Sequence, residues 1–111
     1  GRWLEKHLSE SQSDWQILVT HFPPDYGEKY WIHLAKVYGI DLIVSGHRHA
    51  QEVHEWGKFN LLNATTWLVS GGGGGVTSEQ VPLKSGKDDQ YGFMDLTLSK
   101  DSIRVEAISH G

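Results

Sequence analysis

The chain has no cysteine, which excludes disulfides and thiolate zinc sites and leaves the redox compartment unread. It has no apolar run near the ~20 residues of a membrane span, so no membrane partner is expected. Positive charge is short: ten Lys and Arg stand against fourteen Asp and Glu, a net −4. A nucleic-acid surface normally shows a basic stripe, so no nucleic-acid partner is expected either. The single methionine is not at the start, and the chain opens on Gly1-Arg2-Trp3. The expectation is a processed or excised piece whose targeting and localisation cannot be read.

The 111 residues include seven histidines and five tryptophans. Apolar content is ordinary, so the sequence is globular and long enough for one modest core. Residues 1–111 read as a single partial domain. Arg2 to Glu10 carries Trp3, Leu4, His7 and Leu8 on one helical stripe. Trp15 to Thr20 is a strand with a continuous apolar centre, the pattern of a strand covered on both faces. It runs into His21-Phe22-Pro23-Pro24, where the prolines cannot continue a ladder. A polar loop, Asp25 to Lys29, precedes a helix over Tyr30 to Tyr38, with Gly39 as its C-terminal cap. A second apolar strand, Leu42-Ile43-Val44, ends at Ser45-Gly46. Strand–helix–strand order favours parallel neighbours, so both strands should end at one sheet edge. Short strands are predicted over Gln51 to Trp56 and Phe59 to Leu62 around a Gly57-Lys58 turn, and another over Thr65 to Val69. Val76 to Gln90 reads as an exposed, mobile loop. Tyr91 to Leu98 and Ser102 to Ile108 form a closing hairpin. The tryptophans at 3, 15, 31, 56 and 67 read as core.

The chemistry concentrates in Asp41–Ala50, DLIVSGHRHA. His47 and His49 follow the second strand one residue apart, and alternate residues of an extended segment face one side. His21 follows the first strand in the same way. Imidazole is the commonest ligand for zinc, iron and manganese, so His21, His47 and His49 are candidate metal ligands. Three surface loop histidines are the competing reading. The His-x-His pair after one apolar strand, with a third histidine after a like strand, favours metal. A two-metal hydrolytic site also needs carboxylates, and Asp14, Asp25 and Asp41 stand at the wrong strand ends or out in a loop. Arg48 either aims at a bound phosphate or points away. His7, His33 and His54 read as packing or surface residues, and His110 as solvated. Gly71–Gly75 lacks the Gly-Lys-Ser/Thr of a phosphate loop and reads as a segment allowing close backbone approach. A nucleotide-binding module built on that run is a remote alternative.

ILVTHFPP followed by DLIVSGHRH resembles the last two signature blocks of calcineurin-like metallophosphoesterases: a strand ending in His-x-Pro and a strand ending in Gly-His-x-His. WLEKHL, WLVSGGGG and YGFMDLTLSKDSIRVEAIS resemble the C-terminal half of small tartrate-resistant purple acid phosphatases. The resemblance implies an α/β fold, the C-terminal half of a four-layer α/β/β/α sandwich with a mixed sheet, two short helices and a closing β-hairpin. It implies two metal ions, iron with zinc, manganese or iron. His21 and His47 would bind the second metal and His49 the first. It implies hydrolysis of phosphate esters, as in an acid phosphatase, by metal-bound hydroxide at the binuclear centre. A secreted or vesicular location would follow.

The family's earlier blocks, Asp-x-His, Gly-Asp and Gly-Asn-His-Asp/Glu, have no counterpart in these residues. The partners expected are therefore a phosphate-ester substrate and a missing N-terminal half that supplies the Asp and Asn ligands. The mammalian-type enzymes also carry a histidine in the loop after the His-x-Pro block. Here that loop has Tyr26 and Tyr30, with His33 further on, and whether one of them substitutes is open. The alternative function is a catalytically inactive truncated fragment acting as a metal- or partner-binding module.

Overall fold

A computed structural model describes residues 2–73, 83–85 and 87–110. The predicted first helix forms as α1, Arg2–Glu10. Its Leu4 and Leu8 face the core, while Trp3 and His7 stack on its outer side with ring centroids 4.2 Å apart. Strand β1, Ile17–Thr20, runs into a 3-10 turn at Pro24–Gly27 and helix α2, Glu28–Tyr38. The turn and α2 together occupy what reads in sequence as a polar loop and a shorter helix. Gly39 closes α2 as expected: it sits at φ 65° and its N–H bonds the Ala35 carbonyl at 3.1 Å. That left-handed conformation is open to glycine at no steric cost.

Strand β2, Leu42–Ser45, pairs in parallel with β1, Ile17 opposite Leu42 and Thr20 opposite Ser45. Asp41 prepares the pairing, because its carboxylate accepts the Gln16 N–H at 2.8 Å while the Gln16 amide donates to the Tyr38 carbonyl. Strands β3, Gln51–His54, and β4, Thr66–Ser70, complete a four-stranded sheet of order β1-β2-β4-β3. β4 is parallel to β2 and β3 antiparallel to β4, a mixed sheet. Strands β5, Asp88–Leu98, and β6, Ile103–His110, form a separate antiparallel hairpin with an irregular register between Asp88 and Gly92.

Sequence alternation sends Ile43, Trp67 and Val69 to one face of the sheet. There they pack with Leu8, Leu34, Ile40 and Leu62 beneath the two helices. The hairpin lies on the other side. The Trp15 indole donates to the Ser99 carbonyl, and Leu42 and Thr66 share a cleft with Ile103 and Val105. This is a mixed α/β arrangement with two helices and a closing hairpin. No helix among the described residues is long and apolar enough to cross a membrane.

Three sequence expectations are corrected. Phe59 to Leu62 is no strand. The Asn60 amide donates to the carbonyls of His54, Glu55 and Thr65, and its oxygen accepts from Leu62 and Trp67. One side chain thus answers the backbone groups that a ladder would have used. The tryptophans are not uniformly core. Trp67 is buried and Trp15 and Trp31 half-buried, but Trp3 and Trp56 are 71% and 74% exposed. The predicted loop over Val76 to Gln90 ends early, because Asp88 to Gln90 already belong to β5. Its residues 76–82 and 86 lie outside the described residues, as do Gly74 and Gly75.

Candidate metal centre

Parallel pairing of β1 and β2 delivers both histidine-bearing loops to one edge of the sheet. The Gly46 N–H bonds the His21 carbonyl at 3.0 Å, continuing the strand register by one step. The His47 and His21 side chains then meet, Nδ1 to Nε2 at 3.3 Å, with ring centroids 5.2 Å apart. Both rings are exposed to solvent.

The segment carrying His47 and His49 is not extended, which corrects the alternation argument for bringing them together. The Arg48 N–H reaches back to the Gly46 carbonyl at 2.8 Å, and the Ala50 N–H to the Arg48 carbonyl at 2.9 Å, two successive three-residue turns. His47 sits at φ 64°. A non-glycine residue there costs about 1–3 kcal/mol and persists only where its surroundings hold it. His49 is exposed. Among the described residues, no group of three or more histidine and carboxylate side chains is arranged to hold a metal ion. The structure brings His21 and His47 together and leaves His49 outside that pair.

The surroundings that hold His47 are aromatic and ionic. Phe22 and Tyr26 lie against its ring, with centroids at 4.6 and 5.0 Å. Of the three loop residues whose role was open in sequence, Tyr26 alone contacts His47. Tyr30 packs on Trp31, and His33 lies 3.7 Å from Glu5 of α1. Arg48 does not reach toward the histidine pair. Its Nη1 donates to both Asp25 oxygens at 3.1 and 2.8 Å, and its Nε and Nη2 to the two Glu52 oxygens at 2.9 and 3.0 Å. Glu52 in turn bonds His54 at 2.7 Å, and His54 stacks on Trp67 at 3.6 Å. The Glu52 and Asp25 hydrogen bonds raise the Arg48 pKa further above its ordinary value, against burial. Arg48 first, then His54, hold Glu52 below its ordinary carboxylate value, against desolvation. The guanidinium is thus committed to two carboxylates, which resolves its direction.

The glycine run serves close approach where it is described. A Cβ on Gly71 would collide with the Arg48 carbonyl, so the end of β4 can press against the histidine loop only as glycine. The sequence reading missed the Phe22–Tyr26 clasp and the Arg48 fork. The Glu52 arm had a signal, opposite charges four residues apart. Asp25 had none.

These features define an α/β protein with a candidate site where parallel strands end, the place where such folds commonly bind ligands. Residues 1–51, from α1 to the first residue of β3, match the calcineurin-like phosphoesterase family. That match includes all three candidate histidines and supports this superfamily, whose chemistry is metal-dependent phosphoester hydrolysis and whose members generally use two metal ions. The chain is also similar to an uncharacterized protein of Bacillus subtilis (strain 168), YpbG, at 31% identity over 98 residues, 82% of this chain and 34% of that protein. It thus spans about a third of the length of this curated relative. No solved structure matches.

Proposed function

We propose that the chain is the C-terminal part of a phosphomonoesterase of the acid-phosphatase type, working with two metal ions. His21, His47 and His49 would be ligands, and the Asp and Asn ligands would come from an N-terminal half. The observation that carries this is the pair of ring nitrogens 3.3 Å apart at the shared end of β1 and β2, within the matched residues. Two nitrogens each ~2.0–2.1 Å from a tetrahedral cation stand about 3.3–3.4 Å apart, so this pair fits one edge of a metal's ligand set. When bound, two cations would neutralise the phosphoryl oxygens of the ester. The residues of this chain would supply neutral imidazoles, and Phe22, Tyr26 and the strained His47 backbone would hold one ring in place.

The open side of the sheet supports a missing half. β1 is an edge strand, and its Val19 is 82% exposed. A hollow lined by Val19, His21, Val44 and Ser70 runs from there to the candidate site. Unpaired strand edges and bare apolar side chains are ordinarily covered. Iron with zinc, manganese or iron is the metal pair we assign.

The experiment combines this chain with its N-terminal half and follows hydrolysis of an aryl phosphate with added metal. Activity that vanishes on chelation and with His47→Ala is the expected result. Full activity without metal, or unchanged by His47→Ala, would overturn the proposal. A second reading, a metal- or partner-binding module without turnover, draws on the absence of a three-residue ligand group among the described residues. The same assay separates them: stoichiometric metal binding by the combined halves with no hydrolysis of any phosphate ester selects the second.

A further inference from the structure

We propose that Arg48 is a positioning residue, a tie between the loop after β1 and the loop after β2 that sets the spacing of the His21 and His47 rings. Its backbone lies between His47 and His49. Its side chain reaches Asp25, in the turn four residues after His21, and Glu52, on β3. One guanidinium therefore joins three chain segments through four charge-assisted bonds of 2.8–3.1 Å. Drift of either histidine loop must break at least two of them together, and a bidentate fork resists sideways motion better than a single contact.

The far end of the tie is anchored as well. Glu52 is shared with His54, which is stacked on buried Trp67. From above, the Gly71 backbone seats directly on the Arg48 carbonyl. The guanidinium also lies 5.9 Å from the Tyr26 ring, which packs on Phe22 and on His47 itself. Arg48 thus fixes His47 by two routes: through the backbone that adjoins it and through the aromatic ring that packs against it. Four of the five guanidinium N–H groups go to the two carboxylates, so a phosphate could take a two-point grip only by displacing one of them. Positioning, not phosphate capture, is the role the geometry points to.

The test compares the full chain with Arg48→Gln, Arg48→Lys, Glu52→Gln and the double variant Asp25→Asn/Arg48→Gln. The first readout is metal-free: nuclear Overhauser effects between the His21 and His47 ring protons. They are expected in the parent, lost in Arg48→Gln and not restored by Arg48→Lys, whose single ammonium cannot fork. Glu52→Gln keeps one arm and should weaken them without abolishing them. Amide shifts of β5 and β6 should stay unchanged, which separates lost positioning from lost fold.

The second readout is Zn²⁺ affinity by calorimetry, with the N-terminal half combined, and this arm alone rests on the metal reading above. A fall of ~10- to 100-fold is expected for Arg48→Gln, the usual effect of removing an outer partner of a ligand. Asp25→Asn should add nothing in that background. Ring contacts that persist in Arg48→Gln overturn the tie. Zn²⁺ binding that is absent in the parent combined with its N-terminal half, or unchanged there by His47→Ala, overturns the metal reading, while loss of the ring contacts in Arg48→Gln still supports the tie.

Discussion

The two faces of the four-stranded sheet are finished to different degrees. Beneath the helices, Leu34, Ile43 and Val69 have no exposure at all and Trp67 has 4%. On the opposite face Leu42 and Leu68 are buried, yet Val19 on the neighbouring edge strand is 82% exposed. The helical face is a closed core made wholly from this chain. The other face is closed at β4 and open at β1, on the side where the histidine pair emerges. The contrast teaches that this chain closes one face of its sheet by itself, while its candidate chemistry lies beside an exposed edge.

The largest effect should come from breaking the closed face. Leu34→Ala removes a fully buried side chain from the centre of the helix-covered core. Such truncations cost about 2–5 kcal/mol, a large part of a small domain's stability. Urea unfolding should show the stability falling by that amount, or no cooperative transition at all. A loss below about 1 kcal/mol would mean that the closed face is no better packed than the open one.

Asn60 sharpens the same contrast, because its turn carries Leu61 and Leu62 into the helical face. Asn60→Ala leaves the carbonyls of His54, Glu55 and Thr65 without their shared donor. The expected cost is about 1–3 kcal/mol, the range for stranding partly buried polar groups. Asn60→Asp should cost as much, since an ionised carboxylate accepts and cannot donate.

These two residues differ in how far they could be read beforehand. Leu34 falls on the apolar stripe of a helix ended by Gly39, and periodicity alone marks it as core. Parallel β1 and β2 likewise follow from strand–helix–strand order and two apolar runs. Asn60 gives no such signal, because Phe59 to Leu62 has the composition of a strand. Only the folded chain brings three carbonyls to one amide. The site divides in the same way. His21 and His47 are legible because each follows a strand and the strands are neighbours. Alternation would place His49 beside His47 only on an extended segment, and the positive φ of His47 with the short backbone turns around it makes the segment bent. Asp25 and Arg48 stand 23 positions apart, and nothing local announces their contact.

Acid should loosen the histidine loops before it reaches the closed core. Glu52 is held below its ordinary value of 4.5 by Arg48. A lowered folded-state value means the folded protein binds fewer protons than the unfolded chain near that pH. The pair's contribution is therefore fully present above the ordinary value, and is lost as pH falls through the depressed one. With Glu52→Gln, the difference in stability from the parent should be about 1 kcal/mol at pH 7, given one partly exposed charged pair, and should shrink toward zero as pH falls through the depressed value. Parallel unfolding curves at pH 7 and along a descending acid series measure it. A difference that grows in acid would reverse the sign and remove Arg48–Glu52 as its source.

The smallest effect belongs to the open face, and its dependence on a partner is what gives it meaning. Val19→Thr keeps the branched shape suited to a strand and changes a side chain that this chain does not cover. Unfolding of the chain alone should shift by no more than about 0.5 kcal/mol, as for other exposed positions. If an N-terminal half seats on β1, the same hydroxyl becomes buried without a designed partner. The variant should then weaken association of the two halves by about 1–3 kcal/mol, read from a titration of one half with the other. Equal, small effects in both settings would mean that β1 stays an exposed edge and that the missing half, if it joins, does so elsewhere.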